Sequence, residues 1–318
     1  MSKTKESISG LIQQIIHEEE IPLRARKFTL DTVNTVLRYG AIVGHVMEHH
    51  DQIPRGMDWA RHLINEAENE NLSFPSGTVI LADEMLQSRG RFRRSWHAPQ
   101  GGLWMTLVLV NTLLPESNLL VPMAAGVACC EVLRHYGIPA HIKWVNDVLA
   151  GNKKITGILT ETFTGSRFAE EYVLVGIGIN VNNDEFPAEF SGQATSVKSC
   201  LNKEISVPEM TARLVVKLRW NIGLLYYEEA RHLEYHGGIA RRNEKRSENS
   251  PAEEHLLLDS YKCLTDIFER RVLFGFDVRK SPQFEAKVIG LDGSGGLIME
   301  MDDGSRIIQH SGEIIYLV

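Results

Sequence analysis

The chain has 318 residues, a net charge of −7 and 43% hydrophobic residues, enough for one large domain and a smaller one. The acidic balance argues against non-specific DNA binding. No apolar run approaches the roughly 20 residues that span a bilayer, and the charged start does not read as a secretion signal. Four cysteines are few, so we expect a cytoplasmic protein. From the acidic balance and the lack of a long apolar run, we expect no nucleic acid and no membrane among its partners.

The N-terminal part of the chain is predicted to be helical. Residues 6–17 and 29–39 have helix-like periodicity, and residues 1–40 are expected to form a helical extension. This extension is too short for a winged helix and lacks a basic recognition helix, so no operator-binding module is predicted. His45, His49 and His50 lie close together, but no Cys or Asp framework completes a metal site.

An arginine-rich segment at residues 88–96 is the most informative feature. Four arginines fall within six residues, with a tryptophan just after them, and the next apolar run, 103–110, is predicted to be a strand. Such a run is often a solvated face or a nucleic-acid patch. Arginine also presents a planar fork of donors that matches phosphate and carboxylate.

A second basic stretch follows downstream. Residues 143–147 read KWVND and residues 153–157 read KKITG, and 155–159 is predicted to be a strand. The two basic stretches together indicate a pocket that holds a phosphate and a carboxylate side by side. The alternative for Lys143 and Asp147 is a surface ion pair.

The apolar segment 173–182 carries Gly176 and Gly178 two residues apart, so both lie on one face of a predicted strand. A face without side chains leaves room for a flat or extended ligand.

Upstream, Cys129 and Cys130 are adjacent in a helix-like stretch and are expected to be core thiols. Downstream, 208–228 reads as an amphipathic helix. The polar residues 229–257 read as an insertion or linker, or as a docking surface for an acceptor.

These motifs together resemble those of the biotin protein ligases, in the biotin/lipoate protein ligase superfamily. The family pattern runs GRGRxGRxW, KWPND, RKxxGIL and GxGxN, and here the same order reads SRGRFRRSW, KWVND, KKITGIL and GIGIN. The resemblance covers roughly residues 40–228 and 258–318. It implies an α/β (α+β) mixed-sheet catalytic domain over 41–257. It also implies an SH3-like β-barrel over 258–318, where 290–300 and 311–314 match.

The resemblance implies a two-step, ATP-dependent reaction with Mg²⁺. Biotin would attack the α-phosphate to give biotinyl-5′-AMP and pyrophosphate, and a lysine of a biotin carboxyl carrier domain would then displace AMP. It also leaves open a homodimer. The residues that it places in the catalytic centre are Lys154, Arg91, Arg94 and Lys143. Those for the acid are Arg89, Gly90, Met85, Gly56, Gly157, Gly176 and Gly178. Those for ATP are Trp96, Asn146, Asp147 and Asn180, with Asp147 also on Mg²⁺.

The chain departs from the family pattern at the acid's distal end. The family's Ser-Thr-Asn and Gln, which hydrogen-bond the ureido head of biotin, align with Arg55-Gly56-Met57 and Met85. Ser88 and Arg93 replace glycines, and Val145 replaces proline. The less polar end favours lipoate or a medium-chain fatty acid, although Arg55 could meet a polar head. A non-catalytic relative that binds an acid or an adenylate is the other alternative.

Overall fold

The computed structural model describes residues 8–237 and 255–317. The N-terminal segment is helical, as predicted, although residues 6 and 7 of the predicted helix lie outside the described part. Thr29 caps the last of these helices, because its side chain accepts a hydrogen bond from the Thr32 N–H at 3.2 Å. The elements are α1 (Ile8–Ile15), a π-helical stretch (Ile16–Glu20), α2 (Ile21–Arg24) and α3 (Leu30–Gly40).

A mixed seven-stranded sheet forms the centre of the larger domain. Its order is β1-β2-β3-β7-β6-β5-β4, with β1 and β2 parallel and every other pair antiparallel. The strands predicted at 103–110 and 155–159 are β3 and part of β6, and the glycine-bearing segment is β7. The strands are β1 (Met47–Ile53), β2 (Thr78–Met85), β3 (Leu103–Val110), β4 (Ala140–Lys143), β5 (Asp147–Ala150), β6 (Lys153–Thr164) and β7 (Glu171–Ile179).

Helices cover both faces of this sheet because the strands carry apolar residues on each side. Helix α4 (Gly56–Asn69) buries Met57, Ala60 and Ile64 against one face. Helices α6 (Val121–His135) and α8 (Val207–Gly237) form the main core on the other face. The short helices α5 (Pro115–Asn118) and α7 (Val197–Leu201) precede α6 and α8 in the chain. Cys129 and Cys130 are free, buried thiols in α6, which confirms that prediction.

One segment of the core passes the length and composition test for a membrane span. Residues Pro115–His135 do so, contrary to the expectation from the sequence, with 67% of the apolar window buried inside the protein. Most of the segment is α6, whose apolar residues face the sheet and α8. Core packing therefore accounts for this apolar composition.

Helix α8 crosses α3 at very close range. A Cβ added at Gly223 would lie 2.2 Å from the Val36 carbonyl oxygen, and one at Gly40 would lie 1.7 Å from that of Arg219. Helix α8 contains the predicted helix 208–228 and continues to Gly237, so the first part of the predicted linker is helical. Residues 238–254 of that linker lie outside the described part.

The C-terminal part begins with α9 (Leu256–Lys262) and continues as a five-stranded antiparallel sheet, consistent with the expected SH3-like barrel. Two hydrogen bonds join the barrel to the larger domain. Thr265 Oγ1 of the C-terminal part donates to the Ile142 carbonyl at 2.8 Å, and Trp144 Nε1 of the larger domain donates to the Gly295 carbonyl at 3.2 Å. The order is β11-β10-β9-β8-β12, with β8 (Arg271–Gly275), β9 (Phe284–Leu291), β10 (Leu297–Glu300), β11 (Arg306–Gln309) and β12 (Glu313–Tyr316).

Candidate active site

A cavity of about 530 Å³ lies between the sheet, the arginine-rich segment and the barrel. Every residue that the sequence placed in the site lines it, although their individual roles stay predictions. The catalytic candidates are Lys143, Lys154, Arg91 and Arg94. The others are Gly56, Met85, Arg89, Gly90, Trp96, Asn146, Asp147, Gly157, Gly176, Gly178 and Asn180.

The arginine-rich segment folds back on itself instead of extending into solvent. The Gly90 N–H donates to the Arg94 carbonyl at 2.8 Å, and the Trp96 N–H donates to the Ser88 carbonyl at 3.1 Å. At the tip, Phe92 and Arg93 have φ of 56° and 58°, in the left-handed region that favours glycine. This conformation explains why the ligase pattern carries glycine at the position of Arg93.

The segment is held against the barrel by its arginines. Arg94 forms hydrogen-bonded ion pairs with Glu313, at 2.7 and 2.9 Å, and with Asp277, at 2.5 Å. Arg91 donates to the Gly312 carbonyl at 2.7 Å. The hydrogen bond with Glu313 raises the pKa of Arg94 despite partial burial. Arg94, expected in the catalytic centre, is therefore paired with two carboxylates of the barrel.

A β-bulge orients Lys154 toward the cavity. Val148 of β5 pairs with Thr156, but the next residue, Leu149, pairs with Lys154, so β6 has one extra residue at Ile155. A Cβ at Gly157 would lie 3.1 Å from Lys154 Cε, which places both residues on the same face. Without the bulge, the alternation of a strand would point Lys154 away from the face that Gly157 shares.

Lys154 and Lys143 form the cationic centre of the cavity. Lys154 Nζ lies 2.6 Å from Asp147 Oδ1 and 5.2 Å from the centre of the Trp96 ring. Burial lowers the pKa of Lys143, Asp147 opposes this shift, and Lys154 adds to it. The ion pair considered for Lys143 and Asp147 is thus replaced by the pair of Lys154 with Asp147.

The glycine-bearing face is covered by an indole ring. A Cβ at Gly178 would lie 2.8 Å from Trp96 Nε1, and one at Gly157 would lie 2.8 Å from Trp96 Cζ3. We expected this face to leave room for a flat ligand, and the flat group directly on it is Trp96. The indole Nε1 is buried and has no hydrogen-bond partner among the described residues.

The far end of the cavity is lined by sulfur and apolar groups. The Gly56 N–H donates to Met85 Sδ at 3.4 Å, and Met57 lies beside Gly176. Arg55 Nη2 lies 2.5 Å from Glu161 Oε1. Arg55, expected to be able to meet a polar head, is therefore already paired.

Glu161 holds a second arginine as well, since Arg61 also donates to its carboxylate. Burial opposes the ionisation of Glu161, but hydrogen bonds from Arg61 and Arg55 and the charges of both hold its pKa below the ordinary value of 4.5. The ion pairs at this end of the cavity therefore favour the charged carboxylate at neutral pH.

The two asparagine side chains predicted to contact ATP make hydrogen bonds within the protein. Asn180 Nδ2 donates to the Thr195 carbonyl at 3.1 Å, and its Oδ1 accepts from Asn183 at 3.0 Å. Asn146 Nδ2 donates to the Ile158 carbonyl. Both amides thus stabilise loops that border the cavity.

The upstream histidines make surface contacts instead of a metal site. His49 pairs with Asp83 at 2.8 Å, and His50 lies 3.4 Å from Glu48. In the part of the chain that the structure describes, no group of three or more His, Cys, Asp and Glu side chains could hold a metal ion.

A mixed sheet between helices, a barrel closing one side and a cationic cavity between them form an arrangement suited to a ligand with two anionic groups. The profile of the biotin/lipoate A/B protein ligase family matches residues 58–180. Over these residues the chain is similar to members of that family. It is 29% identical to the bifunctional ligase/repressor BirA of Bacillus subtilis, over 86% of this chain and 75% of that one.

Two other proteins are similar to the chain, one over part of its sequence and one in its fold. A biotin–[acetyl-CoA-carboxylase] ligase of Paracoccus denitrificans is 37% identical over 32% of this chain and 43% of that protein. The fold is similar to that of the biotin protein ligase from Aquifex aeolicus, solved in complex with biotin and ATP. The TM-score is 0.64 at 20% identity, covering 86% of this chain and 99% of the other.

Proposed function

We propose that the protein is an ATP-dependent biotin–protein ligase. It activates the carboxylate of biotin as biotinyl-5′-AMP, releases pyrophosphate, and transfers the acyl group to a lysine of a biotin carboxyl carrier domain with release of AMP. The observation that carries the proposal is Lys154, turned into the cavity by a bulge and fixed 2.6 Å from Asp147. We propose biotin as the substrate because similar proteins include a biotin–[acetyl-CoA-carboxylase] ligase and the bifunctional ligase/repressor BirA.

The first step brings together a carboxylate and a triphosphate, which repel each other. Preorganised cations in a partly water-excluded cavity offset this repulsion and stabilise the charge that develops at the α-phosphate. Four cationic side chains line the cavity, those of Lys154, Lys143, Arg89 and Arg91. Burial lowers the pKa of Arg91, with Glu313 and Asp147 opposing the shift.

Magnesium would neutralise part of the triphosphate charge. Mg²⁺ in such enzymes is bound by one or two carboxylates plus the phosphates of the substrate. Asp147 fits this requirement as a single protein ligand, since its carboxylate lies in the cavity beside Lys154. The described residues do not form a metal cluster on their own, so we propose that the metal enters with ATP.

The second step requires that the adenylate meet an amine before it meets water. The arginine-rich segment and the barrel close over the cavity through Arg91 and Arg94, which limits the access of water. The carrier domain would approach the mouth of the cavity with its acceptor lysine. The homodimer stays a prediction, and β1 is one free edge of the sheet through which it could form.

The test is biotin-dependent exchange of pyrophosphate into ATP. Lys154→Ala should lower the exchange rate by about 10²–10³, because it removes a preorganised charge. Lys153→Ala is the matched control, since this neighbouring lysine is exposed and does not line the cavity. An equal loss in both variants would contradict the role of Lys154. An absence of exchange with biotin, lipoate and octanoate would contradict the proposed function and favour a non-catalytic binding protein.

A further inference from the structure

The floor of the cavity runs from a cationic end to a sulfur-lined end. On the glycine-bearing face of β7, Gly178 lies under Trp96. A Cβ added at Gly176, two residues away on the same face, would lie 3.5 Å from Met57 Sδ. Two residues of a strand span about 6.5 Å. Because the proposed function puts the carboxylate at Lys154, the distal end of the acid would lie beyond Trp96, beside Met57.

The groups at this distal end offer few hydrogen bonds. Met57 and Met85 contribute thioethers, and sulfur is a weak acceptor. The Gly56 N–H already donates to Met85 Sδ at 3.4 Å. Thr106 contributes a hydroxyl, and it packs so closely that a Cβ at Gly56 would lie 2.3 Å from its Oγ1. The Thr106 side chain therefore leaves no room for a side chain at Gly56 that could add a polar group.

Arg55, Glu161 and Arg61 are paired with one another at this end. Arg55 donates to Glu161 at 2.5 Å, to Asp58 at 3.1 Å and to Met57 Sδ at 3.2 Å. Glu161 also accepts from Arg61. These contacts engage three of the five guanidinium donors of Arg55 within the protein.

We infer that this pocket does not select for a hydrogen-bonding head group. The enzyme activates acids that end in a dithiolane or a hydrocarbon chain, such as lipoate and octanoate, with a kcat/KM within about 10² of that for biotin. The inference rests on the proposed ligase function. A site that hydrogen-bonds its substrate rejects an analogue without those groups by about 10⁴–10⁵, whereas an apolar pocket discriminates by only about 10–200-fold.

The experiment compares kcat/KM for pyrophosphate exchange with biotin and with lipoate, using the full chain. We expect the biotin-to-lipoate ratio to be below about 10². Met85→Gln places an amide at the distal end and should raise the ratio at least about tenfold, within the range for one added polar contact. Met85→Leu keeps the position apolar at similar volume, and its ratio should stay within about threefold of the parent.

The outcomes separate the inference from the proposed function. Exchange with biotin at a ratio above about 10² over lipoate would overturn the inference and leave the ligase function intact. An equal rise of the ratio in Met85→Gln and Met85→Leu would also overturn it, because polarity would then not be the cause. If the protein is folded by circular dichroism and shows no pyrophosphate exchange with any of these acids, both the inference and the proposed function are overturned.

Discussion

The contact between the glycine-bearing face and Trp96 gives the sharpest prediction. A Cβ at Gly178 would lie 2.8–2.9 Å from three atoms of the indole, Nε1, Cε2 and Cζ2. Carbon contacts are favourable at about 3.5–4.0 Å, so Gly178→Ala must displace the ring by roughly 0.6–1 Å. Overpacking of this kind costs about 1–3 kcal/mol of stability. A displacement of about 1 Å in a reacting site can cost up to 10²-fold in rate.

Pyrophosphate exchange and tryptophan fluorescence measure this effect together. We expect Gly178→Ala to lower exchange by about 10–10² and to shift the emission of Trp96. Gly176→Ala is the matched comparison, because its Cβ would meet Met57 at an ordinary 3.5 Å on the same face of the same strand. A parental exchange rate in Gly178→Ala, or an equal loss in both variants, would refute the view that the glycine makes room for the indole.

Three further predictions concern the ion pairs, the helix crossing and the thiols. Glu161→Gln should lower the free energy of unfolding by about 1–3 kcal/mol at pH 7. Since the folded pKa of Glu161 is lowered, its contribution is present above 4.5 and lost as the pH falls, so urea titrations of parent and variant should converge in acid. Gly223→Ala should lower the unfolding midpoint sharply, because its Cβ would lie 2.2 Å from the Val36 carbonyl oxygen, whereas Gly290→Ala, at 3.7 Å from its nearest neighbour, should not. A thiol reagent should modify Cys200 and Cys263 in the native protein and all four cysteines after denaturation.

Much of the site could be predicted because its residues lie in short, ordered motifs. The strands β3, β6 and β7 follow from apolar runs, and the basic stretches lie at their ends. The bulge at Ile155 could not be predicted, because the alternation of side chains along a strand does not reveal one extra residue in the sequence. The orientation of Lys154 was therefore available only from the motif.

The contacts that close the cavity are long-range pairs, and no local pattern reveals them. Arg94 is separated from Glu313 by 219 residues, and Arg55 is separated from Glu161 by 106. Each of these acids is one of 41 in the chain, and nothing near it marks its partner. The same reason explains why Trp96 was expected on a ligand and is found on Gly157 and Gly178.

The paired charges also define how the site must respond to its substrates. Within the protein, Asp147 neutralises Lys154, and Glu313 with Asp277 neutralises Arg94. Lys154 and Asp147 are 35% and 28% exposed, so their pair can exchange partners at modest cost in desolvation. In the proposed reaction, a triphosphate that arrives with a cation would offer both partners at once, phosphate for Lys154 and metal for Asp147. Arg94 has stronger reason to stay on the barrel, because it makes three charge-assisted hydrogen bonds to two carboxylates. The arginine-rich segment thus has a fixed contact at Arg94 beside an exchangeable pair at Lys154, and the barrel lines the same cavity through Glu313.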